Sequence, residues 1–370
     1  MRVLHVFKDY PPVPGGIEHI IRDLARAQAA RGLQDGVLVT DPGPVAGRRP
    51  PRRDRDRGVG IVRVRRLATV ASTPLSAELA VVLRRLRPDL VHVHIPYPVG
   101  EVAAWLHRHH TPYVATYHCD VVRRRRLLAL YRPLLLRVLA DAAVVMPTSR
   151  TYADSSPILR AARARQQVVP LGIDPTAFAP TVRARSTPGD PPTVLFVGVH
   201  RHYKGGEVLL HAAARLDGVR LVVAGDGPER PTWQRLAADL GIGDRVSFPG
   251  RVDEATLRAL YGAADAFVLP STSRAEAFGV TLLEAMASGL PAVATEVGSA
   301  TSEVVIDGVT GAVVTAGDPD ALAAGIRRVL DPGCWAGMRT ASLDRAGSYT
   351  IGAMADRVQA AYGTVLRGPA

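Results

Sequence analysis

The stretch "AFVLPSTSRAEAFGVTLLEAMASGLPAVAT" (residues 266–295) contains the strongest fold signal of the chain. A strand-like apolar run is followed by a loop, a helical pattern and a second strand-like run, "PAVAT". This order predicts a strand–helix–strand unit of a parallel sheet, with the loop at the carboxyl edge of that sheet. We predict that the helix begins near Gly279, so that the backbone N–H groups of Phe278, Gly279 and Val280 point outward without partners.

These N–H groups are suited to an anion, above all a diphosphate, because the positive end of the helix dipole adds to their attraction. Gly279 lets the backbone come close to a ligand. Glu276, just before the helix, can accept hydrogen bonds from hydroxyls beside the phosphate. Glu284, on the second turn, can bind a vicinal diol such as that of a ribose. The pattern is therefore suited to a ligand that combines a diphosphate with a vicinal diol.

The alternation of strand-like and helical stretches extends along the chain and restarts at "TVLFVGV" (193–199). It predicts an α/β protein with two Rossmann-like, doubly wound domains that face a central cleft. We place the first domain at residues 1–177, a Pro-rich linker at 178–192 and the second domain at 193–352. A helical pattern at about 353–370 is predicted to pack back on the first domain.

Charge and composition narrow the class of protein. With 47% apolar and 22% charged residues, the chain is typical of a globular protein. Of the net charge of +12, residues 1–180 contribute a surplus, with 28 basic and 14 acidic side chains. This surplus predicts a polyanionic partner: a phospholipid surface, a polyprenyl phosphate or a nucleic acid. Residues 42–58 lack apolar periodicity and are predicted to form a mobile surface loop.

The sequence also favours one compartment. Cys119 and Cys334 lie in different halves of the chain, which predicts free thiols in a reducing environment. No apolar run reaches the roughly 18 residues that span a bilayer. The start, "MRVLHVF", reads as a strand and not as a signal core. We expect a cytoplasmic protein that can bind peripherally to the inner face of the plasma membrane.

The motif of residues 276–294 resembles the donor-binding signature of the retaining family 4 glycosyltransferases, E-x-F-G-x-x-x-x-E-A-x-A-x-G-x-P-V-V-A. Four further elements match the family in the right order: "PGG" (14–16), "VVPLGID" (168–174), "YKGGEVLLHA" (203–212) and "AGDGPER" (224–230). The resemblance implies the GT-B fold, with an acceptor-binding first domain and a second domain that binds a nucleotide sugar.

On the donor side, the resemblance implies a role for each matching residue. Glu276 would contact hydroxyls of the donor sugar, and Glu284 would bind the ribose. Lys204 would neutralise the diphosphate as it leaves, in a position where a compact ammonium is favoured over a guanidinium. From the first domain, Gly15 and Gly16 would approach the diphosphate.

The missing arginine at Val199 and the histidine at His118 are the two remaining positions of the site. The family usually has Arg directly after the glycine of the strand that opens the second domain, but here Gly198 is followed by Val199. We expect Arg201 to take over this phosphate contact, with His200 or His202 as alternatives. In "VATYHCD", His118 ends a strand of the first domain. In similar enzymes a histidine at this position lies beside the donor sugar and the reacting phosphate.

The resemblance also implies a mechanism. A hexose would be transferred from GDP-mannose or a UDP-hexose with retention of configuration, by front-face attack on an oxocarbenium-like centre, and the leaving phosphate would take the acceptor's proton. No Asp-x-Asp element stands at the end of a strand that the sequence predicts, so we expect no metal and no cofactor, the helix dipole and Lys204 serving instead.

The acceptor is less narrowly predicted. Similar enzymes are mannosyl- and other hexosyltransferases of polysaccharide or glycolipid assembly, so a glycan, a polyprenyl-linked glycan or a small molecule is expected. In "DVVRRRRLLALYRPLLLRVLADAA" (120–143), Arg123–Arg126 head a leucine-rich helix that is suited to an anionic membrane surface.

Three other classes of protein fit the sequence less well. A UDP-sugar 2-epimerase shares the tandem fold, but Lys204, Glu276 and Glu284 argue against it. A nucleic-acid-binding protein is suggested by charge alone, and the aromatic content of 5% gives no stacking surface. A dehydrogenase needs G-x-G-x-x-G after a strand, and "GDGPER" lacks the third glycine. The sequence therefore favours a glycosyltransferase without a nucleic-acid partner.

Overall fold

The computed structural model describes residues 1–13, 15–43, 51–121, 125–179 and 187–367. The chain forms two compact units: residues 1–172 and 351–370 are unit 1, and residues 173–350 are unit 2. Each unit has its own mainly parallel sheet, so the prediction of two doubly wound α/β domains is confirmed. Residues 180–186 of the predicted linker lie outside the described residues.

Unit 1 is built on a sheet of seven described strands in the order β3-β4-β2-β1-β7-β8-β9, with a separate hairpin of β5 and β6. All neighbours in the large sheet are parallel except β3 and β4. The strands are β1 (Arg2–Val6), β2 (Gln34–Thr40), β3 (Arg52–Asp56), β4 (Val59–Val64), β5 (Ala68–Val70), β6 (Thr73–Leu75), β7 (Leu90–Ile95), β8 (Tyr113–Tyr117) and β9 (Val144–Pro147).

Helices, numbered along the whole chain, complete unit 1. They are α1 (Gly16–Ala30), α2 (Leu79–Leu86), α3 (Pro98–His107), α4 (Arg125–Ala140), α5 (Arg150–Ser155), α6 (Pro157–Ala161) and α14 (Ile351–Leu366). Helix α14 packs against α1, where Arg31 forms an ion pair with Asp356 at 3.1 Å. Strand β7 is buried along its whole length, as expected of a parallel strand with both faces covered.

Unit 2 has a parallel sheet in the order β12-β11-β10-β13-β14-β15. Its strands are β10 (Thr193–Val197), β11 (Arg220–Ala224), β12 (Val246–Gly250), β13 (Ala266–Leu269), β14 (Ala292–Glu296) and β15 (Gly311–Thr315). Its helices are α7 (Gly206–Ala213), α8 (Arg230–Asp239), α9 (Glu254–Ala263), α10 (Val280–Ala287), α11 (Thr301–Val304), α12 (Pro319–Leu330) and α13 (Pro332–Gly347), with 3₁₀ turns at Pro175–Phe178, His202–Lys204 and Gly243–Arg245.

The order of the strands places the ligand-binding edge of unit 2. Strand β10 lies between β11 and β13, so the chain reverses its direction of progress across the sheet between β10 and β13. In open α/β sheets, ligands bind at the carboxyl ends of strands at such a switch point. The loops after β10 and β13 are the ones that contain Lys204 and Glu276.

The predicted loop at 42–58 is wrong in part, because Arg52–Asp56 forms the edge strand β3, antiparallel to β4. This charged strand is held by polar contacts and not by apolar burial. Asp54 pairs with Arg63 at 3.2 Å, and Asp56 accepts hydrogen bonds from Arg26 and from Tyr10, the latter at 2.8 Å. Residues 44–50 lie outside the described residues.

No helix of the described part is both long and apolar enough to cross a membrane.

Candidate donor-binding site

The first part of the site is the start of helix α10. Gly279 is its N-cap, with a left-handed φ of 80°, and the helix runs from Val280 to Ala287. Within the described residues, no acceptor takes the backbone N–H groups of Phe278, Gly279 or Val280. Unsatisfied donors at a helix N-terminus are suited to an anion.

Gly279 is required by both conformation and space. Its φ lies in the region that side chains rarely adopt, and a Cβ there would lie 2.9 Å from the Cδ atoms of both Leu269 and Leu282. The helix start can therefore approach the sheet only because this residue has no side chain.

Lys204 is placed by the turn after β10. The turn ends at Gly205, whose φ is 72°, and a Cβ at Gly205 would overlap the carbonyl oxygen of Pro270, at the end of β13. The N–H of Thr272 donates to the carbonyl of Tyr203 at 2.8 Å. The two loops are thereby held together, and the side chain of Lys204 points toward the loop after β13.

Lys204 and Glu276 form an ion pair, with side chains only 12% and 10% exposed. Ser271 Oγ also donates to Glu276 Oε2, at 3.2 Å. Burial alone would lower the pKa of Lys204, but the Glu276 carboxylate outweighs it and the pKa is raised. The ammonium therefore stays charged at neutral pH.

Glu284 lies one to two turns further along α10 and accepts a hydrogen bond from Tyr261 Oη at 2.8 Å. Burial raises its pKa, partly offset by Tyr261. Tyr261 is fully buried between Phe178 and Phe267, with ring centroids 5.9 and 6.0 Å away. One carboxylate oxygen of Glu284 is thus anchored by Tyr261.

The residues after β10 differ in exposure: Val199, Arg201 and His202 are exposed, whereas His200 is buried. Arg201 is exposed and close enough for its charge to act on the pKa of Lys204, whereas Val199 is 49% exposed and apolar. His200 is fully buried, with its ring 4.7 Å from that of Trp233. Burial lowers its pKa, and neither ring nitrogen has a partner within the described residues, so its role as an alternative phosphate ligand stays a prediction. His202 is exposed.

In unit 1, Gly15 and Gly16 lie at the start of α1. A Cβ on Gly15 would overlap Oε2 of Glu18, whereas one on Gly16 would meet no atom within 4 Å. Glu18 is buried, and burial raises its pKa. The glycine motif alone does not predict a carboxyl group at this helix start, because Glu18 meets Gly15 only when the helix has formed.

His118 directly follows β8, at the carboxyl edge of the sheet of unit 1. It is 4% exposed, and burial lowers its pKa to about 3, so the ring is neutral. Its Nε2 lies 3.0 Å from Nδ1 of His94, while its Nδ1 has no partner within the described residues.

The basic head of α4 is described only in part. Arg123 and Arg124, and the side chain of Arg125, lie outside the described residues, whereas Arg126 is exposed.

Comparison with known proteins decides the family. Residues 14–177 match the family model "Glycosyltransferase Family 4", and residues 180–340 match "Glycosyl transferases group 1". The chain is 35% identical over 334 residues to D-rhamnosyltransferase WbpZ of Pseudomonas aeruginosa, covering 88% of this chain and 86% of that protein. The chain belongs to glycosyltransferase family 4.

Other relatives of this glycosyltransferase agree. It is 33% identical over 329 residues to O-antigen chain mannosyltransferase C of Escherichia coli, covering 87% of this chain and 86% of that protein. Its structure matches sucrose-phosphate synthase from Thermosynechococcus elongatus with a TM-score of 0.81 at 24% identity, over 98% of both chains. The GT-B fold and a hexosyltransferase activity are therefore confirmed.

Proposed function

We propose that this glycosyltransferase transfers a mannose-type hexose from a nucleotide sugar to a glycan hydroxyl, with retention of configuration and without a metal. The observations that carry the proposal are the Lys204–Glu276 ion pair and the unsatisfied N–H groups at the start of α10, which follow Glu276 closely in the chain. The ammonium of Lys204 and the amides of α10 match the diphosphate of a ligand. The carboxylate of Glu276, at the same sheet edge, matches the hydroxyls of its sugar.

The chemistry divides among these residues. The bond between C1 of the sugar and the diphosphate oxygen breaks, and the acceptor oxygen bonds to C1 on the same face, while its proton passes to the leaving phosphate. Lys204 has three N–H donors, so it can keep Glu276 and still donate to the diphosphate. The amides of α10 oppose the charge that develops on the leaving oxygen.

The remaining contacts concern the ends of the donor. Glu284 would bind the ribose diol, and Arg201, with the glycine loop of Gly15 and Gly16, would contact the diphosphate. His118 would accept a hydrogen bond from a hydroxyl of the donor sugar. The names of the rhamnosyl- and mannosyltransferase relatives support a mannose-type sugar, and hence GDP-mannose ahead of a UDP-hexose.

Thermal unfolding with a panel of nucleotide sugars tests the donor. A ligand at 100 times its Kd stabilises the folded state by about 2.7 kcal/mol, which corresponds to a shift of about 5–10 °C for a domain of this size. We expect such a shift with GDP-mannose or a UDP-hexose, and none in Lys204→Ala. If no nucleotide sugar shifts the wild type, the proposal is wrong.

Product analysis separates this activity from the 2-epimerase alternative. We expect a new glycosidic bond only when an acceptor glycan is present, with the anomeric configuration of the donor by NMR and an unchanged rate in EDTA. A 2-epimeric sugar formed without acceptor would favour the epimerase instead.

Helix α4 favours an anionic membrane as a further partner. Leu127 and Leu130 are 53% and 82% exposed, and Arg126 and Arg132 beside them are exposed as well. Exposed leucines among arginines match the surface of an anionic bilayer, which takes up apolar side chains and attracts cations. Such binding would bring the enzyme to a lipid-linked acceptor.

Sedimentation with vesicles tests this partner. We expect binding to vesicles that contain anionic phospholipid, less binding to pure phosphatidylcholine, and loss of binding when Leu127 and Leu130 are both changed to Ser. Val309→Ser, an exposed apolar residue of unit 2, is the control. Equal binding by the double variant and the control would remove α4 from the proposal.

A further inference from the structure

Four histidines lie together in the interior of unit 1. His5 is on β1, His92 and His94 are on β7, and His118 follows β8. His5 pairs in register with His92, and alternate residues of a strand share a face, so the rings gather on one side of the sheet. The first three are fully buried, and His118 is 4% exposed.

Three of the rings form a hydrogen-bonded chain. Nδ1 of His5 lies 3.0 Å from Nε2 of His94, and Nδ1 of His94 lies 3.0 Å from Nε2 of His118. His92 stacks on His94 at 4.3 Å, but its nitrogens are engaged by Tyr362 Oη and Thr116 Oγ1. His92 is therefore a neighbour of the chain and not a member of it.

When the rings are neutral, all hydrogen bonds of such a chain donate in the same direction. A neutral imidazole has one N–H donor and one acceptor nitrogen, so the tautomer of each ring determines the tautomer of the next. Burial lowers the pKa of His94 well below its usual value and that of His118 to about 3. Both rings are thus neutral, and when His5 is neutral as well, a group at the far end of the chain determines which nitrogen of His118 holds the proton.

That end of the chain lies at Gln28 and Asp35. His5 Nε2 is 3.1 Å from Gln28 Oε1 and 3.8 Å from Asp35 Oδ2. Both oxygens of Asp35 are buried without a hydrogen-bond partner within the described residues. An amide can turn over and donate, whereas a carboxyl group offers Nε2 of His5 an oxygen acceptor in either orientation. Asp35 therefore favours a proton on Nε2 of His5.

The proton positions then follow along the chain. His5 Nδ1 accepts from Nε2–H of His94, and His94 Nδ1 accepts from Nε2–H of His118. The lone pair of His118 is left on Nδ1, the atom that has no partner within the described residues. A buried acceptor without a donor is unfavourable, and a ligand hydroxyl would supply the missing hydrogen bond.

We propose that Asp35, His5 and His94 are positioning residues that hold His118 in its Nε2–H tautomer, so that Nδ1 accepts a hydrogen bond from a hydroxyl of the donor sugar. The tautomer follows from the chain itself, whereas the identification of the hydroxyl rests on the proposed function. No residue of the chain other than His118 is required to touch the substrate.

The test is ¹⁵N NMR of the full-length protein labelled at histidine, with the signals of His118 assigned by their loss in His118→Gln. In the ligand-free wild type we expect the proton on Nε2 of His118. Asp35→Asn, which can donate, should release this preference and lower kcat about tenfold, the loss of one hydrogen bond to the reacting sugar. His92→Gln, a buried neighbour outside the chain, should leave the tautomer unchanged.

Several outcomes would overturn the proposal: a proton on Nδ1 of ligand-free His118, an unchanged tautomer in Asp35→Asn, or one equivalent of zinc bound by His5, His92 and His94, whose nitrogens lie within 4.8 Å of one another. The wild-type spectrum needs no variant, so it decides even if Asp35→Asn fails to fold.

The ligand step is tested separately. Adding GDP-mannose or UDP-glucose should shift the Nδ1 signal of His118, whereas GDP or UDP should not. A correct tautomer without any response to a nucleotide sugar would contradict the sugar contact of the proposed function and leave the positioning chain intact.

Discussion

Lys204 and Glu276 are separated by 72 positions in the chain and meet through two loops at one sheet edge. The chain contains two lysines, and at this position a compact ammonium fits beside Gly198, where a Cβ would lie 3.6 Å from Nζ. A planar guanidinium needs more width. The pair thus brings a charge of each sign to the start of α10 in a small space.

Substitution of the two glutamates should separate their roles. Glu276→Ala is expected to lower kcat about 100-fold or more, because it removes a contact to the reacting sugar. Glu284→Ala is expected mainly to raise KM for the donor, by about tenfold, because it removes a hydrogen bond to a charged group. Steady-state kinetics with varied donor measures both.

The control for this pair is Asp239→Ala, which removes an exposed carboxylate from α8 of the same unit. It should leave both kinetic constants unchanged. Near-normal kinetics in both glutamate variants would contradict the site assignment.

The sequence predicts the candidate residues of the donor site better than it predicts the side chains that contact them. Glu276, Glu284 and Lys204 are visible because they stand in motifs with regular spacing. The contact between Glu284 and Tyr261 and the chain of His5, His94 and His118 are not visible, because residues far apart in sequence meet only when the sheets form. The roles of the motif residues stay predictions.

Among the elements, the turn before α7 shows how a glycine places a side chain. Gly205 and Gly218 both adopt a left-handed φ, 72° and 66°, but only Gly205 faces a backbone atom, the carbonyl oxygen of Pro270. A substitution at Gly218 therefore tests backbone strain alone, whereas one at Gly205 adds a steric clash.

We expect Gly218→Ala to destabilise unit 2 by about 1 kcal/mol, the usual cost of a left-handed alanine. Gly205→Ala should cost about 1–3 kcal/mol more, because the loop after β13 must move. It should also weaken donor binding, since Lys204 and Glu276 would separate. Chemical unfolding and donor titration measure these effects, and equal losses in the two variants would contradict this account of the turn.

Helices α3 and α4 are joined by a buried acid. Glu101 on α3 is 1% exposed and accepts hydrogen bonds from the N–H of Tyr97 at 2.5 Å and from Tyr131 Oη on α4 at 2.7 Å. Burial raises its pKa to about 7, although both hydrogen bonds act in the opposite direction. The acid thus retains its proton in the folded state at pH values where the unfolded chain has lost it.

This difference predicts a dependence of stability on pH. The Glu101 contribution is fully present below the unfolded pKa, near 4.5, and is lost as pH rises to about 7. The total loss is about 3 kcal/mol. Unfolding of the wild type and of Glu101→Gln between pH 4.5 and 8 should show a stability difference that changes in this direction and levels off above pH 7. A difference independent of pH would contradict the buried acid.

Elements with apolar patterns were predicted well, and the charged ones were not. The strands "LVHVHI" (90–95) and "AFVL" (266–269) are buried parallel strands, recognisable from their continuous apolar character. Strand β3, "RRDRD" (52–56), has no such signal, because its stability comes from ion pairs with Arg63 and Arg26. Those partners lie on β4 and α1 and are not adjacent in sequence.

At the scale of the whole molecule, the chain repeats one architecture twice. In unit 1, β1 lies between β2 and β7, and in unit 2, β10 lies between β11 and β13. Each unit therefore has a switch point, between β1 and β7 in unit 1 and between β10 and β13 in unit 2. Ligands of such sheets bind at the carboxyl ends of the strands there. The sequence predicted this repeat from its alternating pattern, and the family comparison agrees.

The central claim, that the start of α10 and Lys204 bind the diphosphate of a nucleotide sugar, is tested most directly by the crystal structure of the enzyme with GDP or UDP. We predict diphosphate oxygens within 3.2 Å of at least two of the N–H groups of Phe278, Gly279 and Val280, with Lys204 Nζ in contact and Glu284 bound to the ribose. A nucleotide bound elsewhere, with these N–H groups still free, would contradict the account.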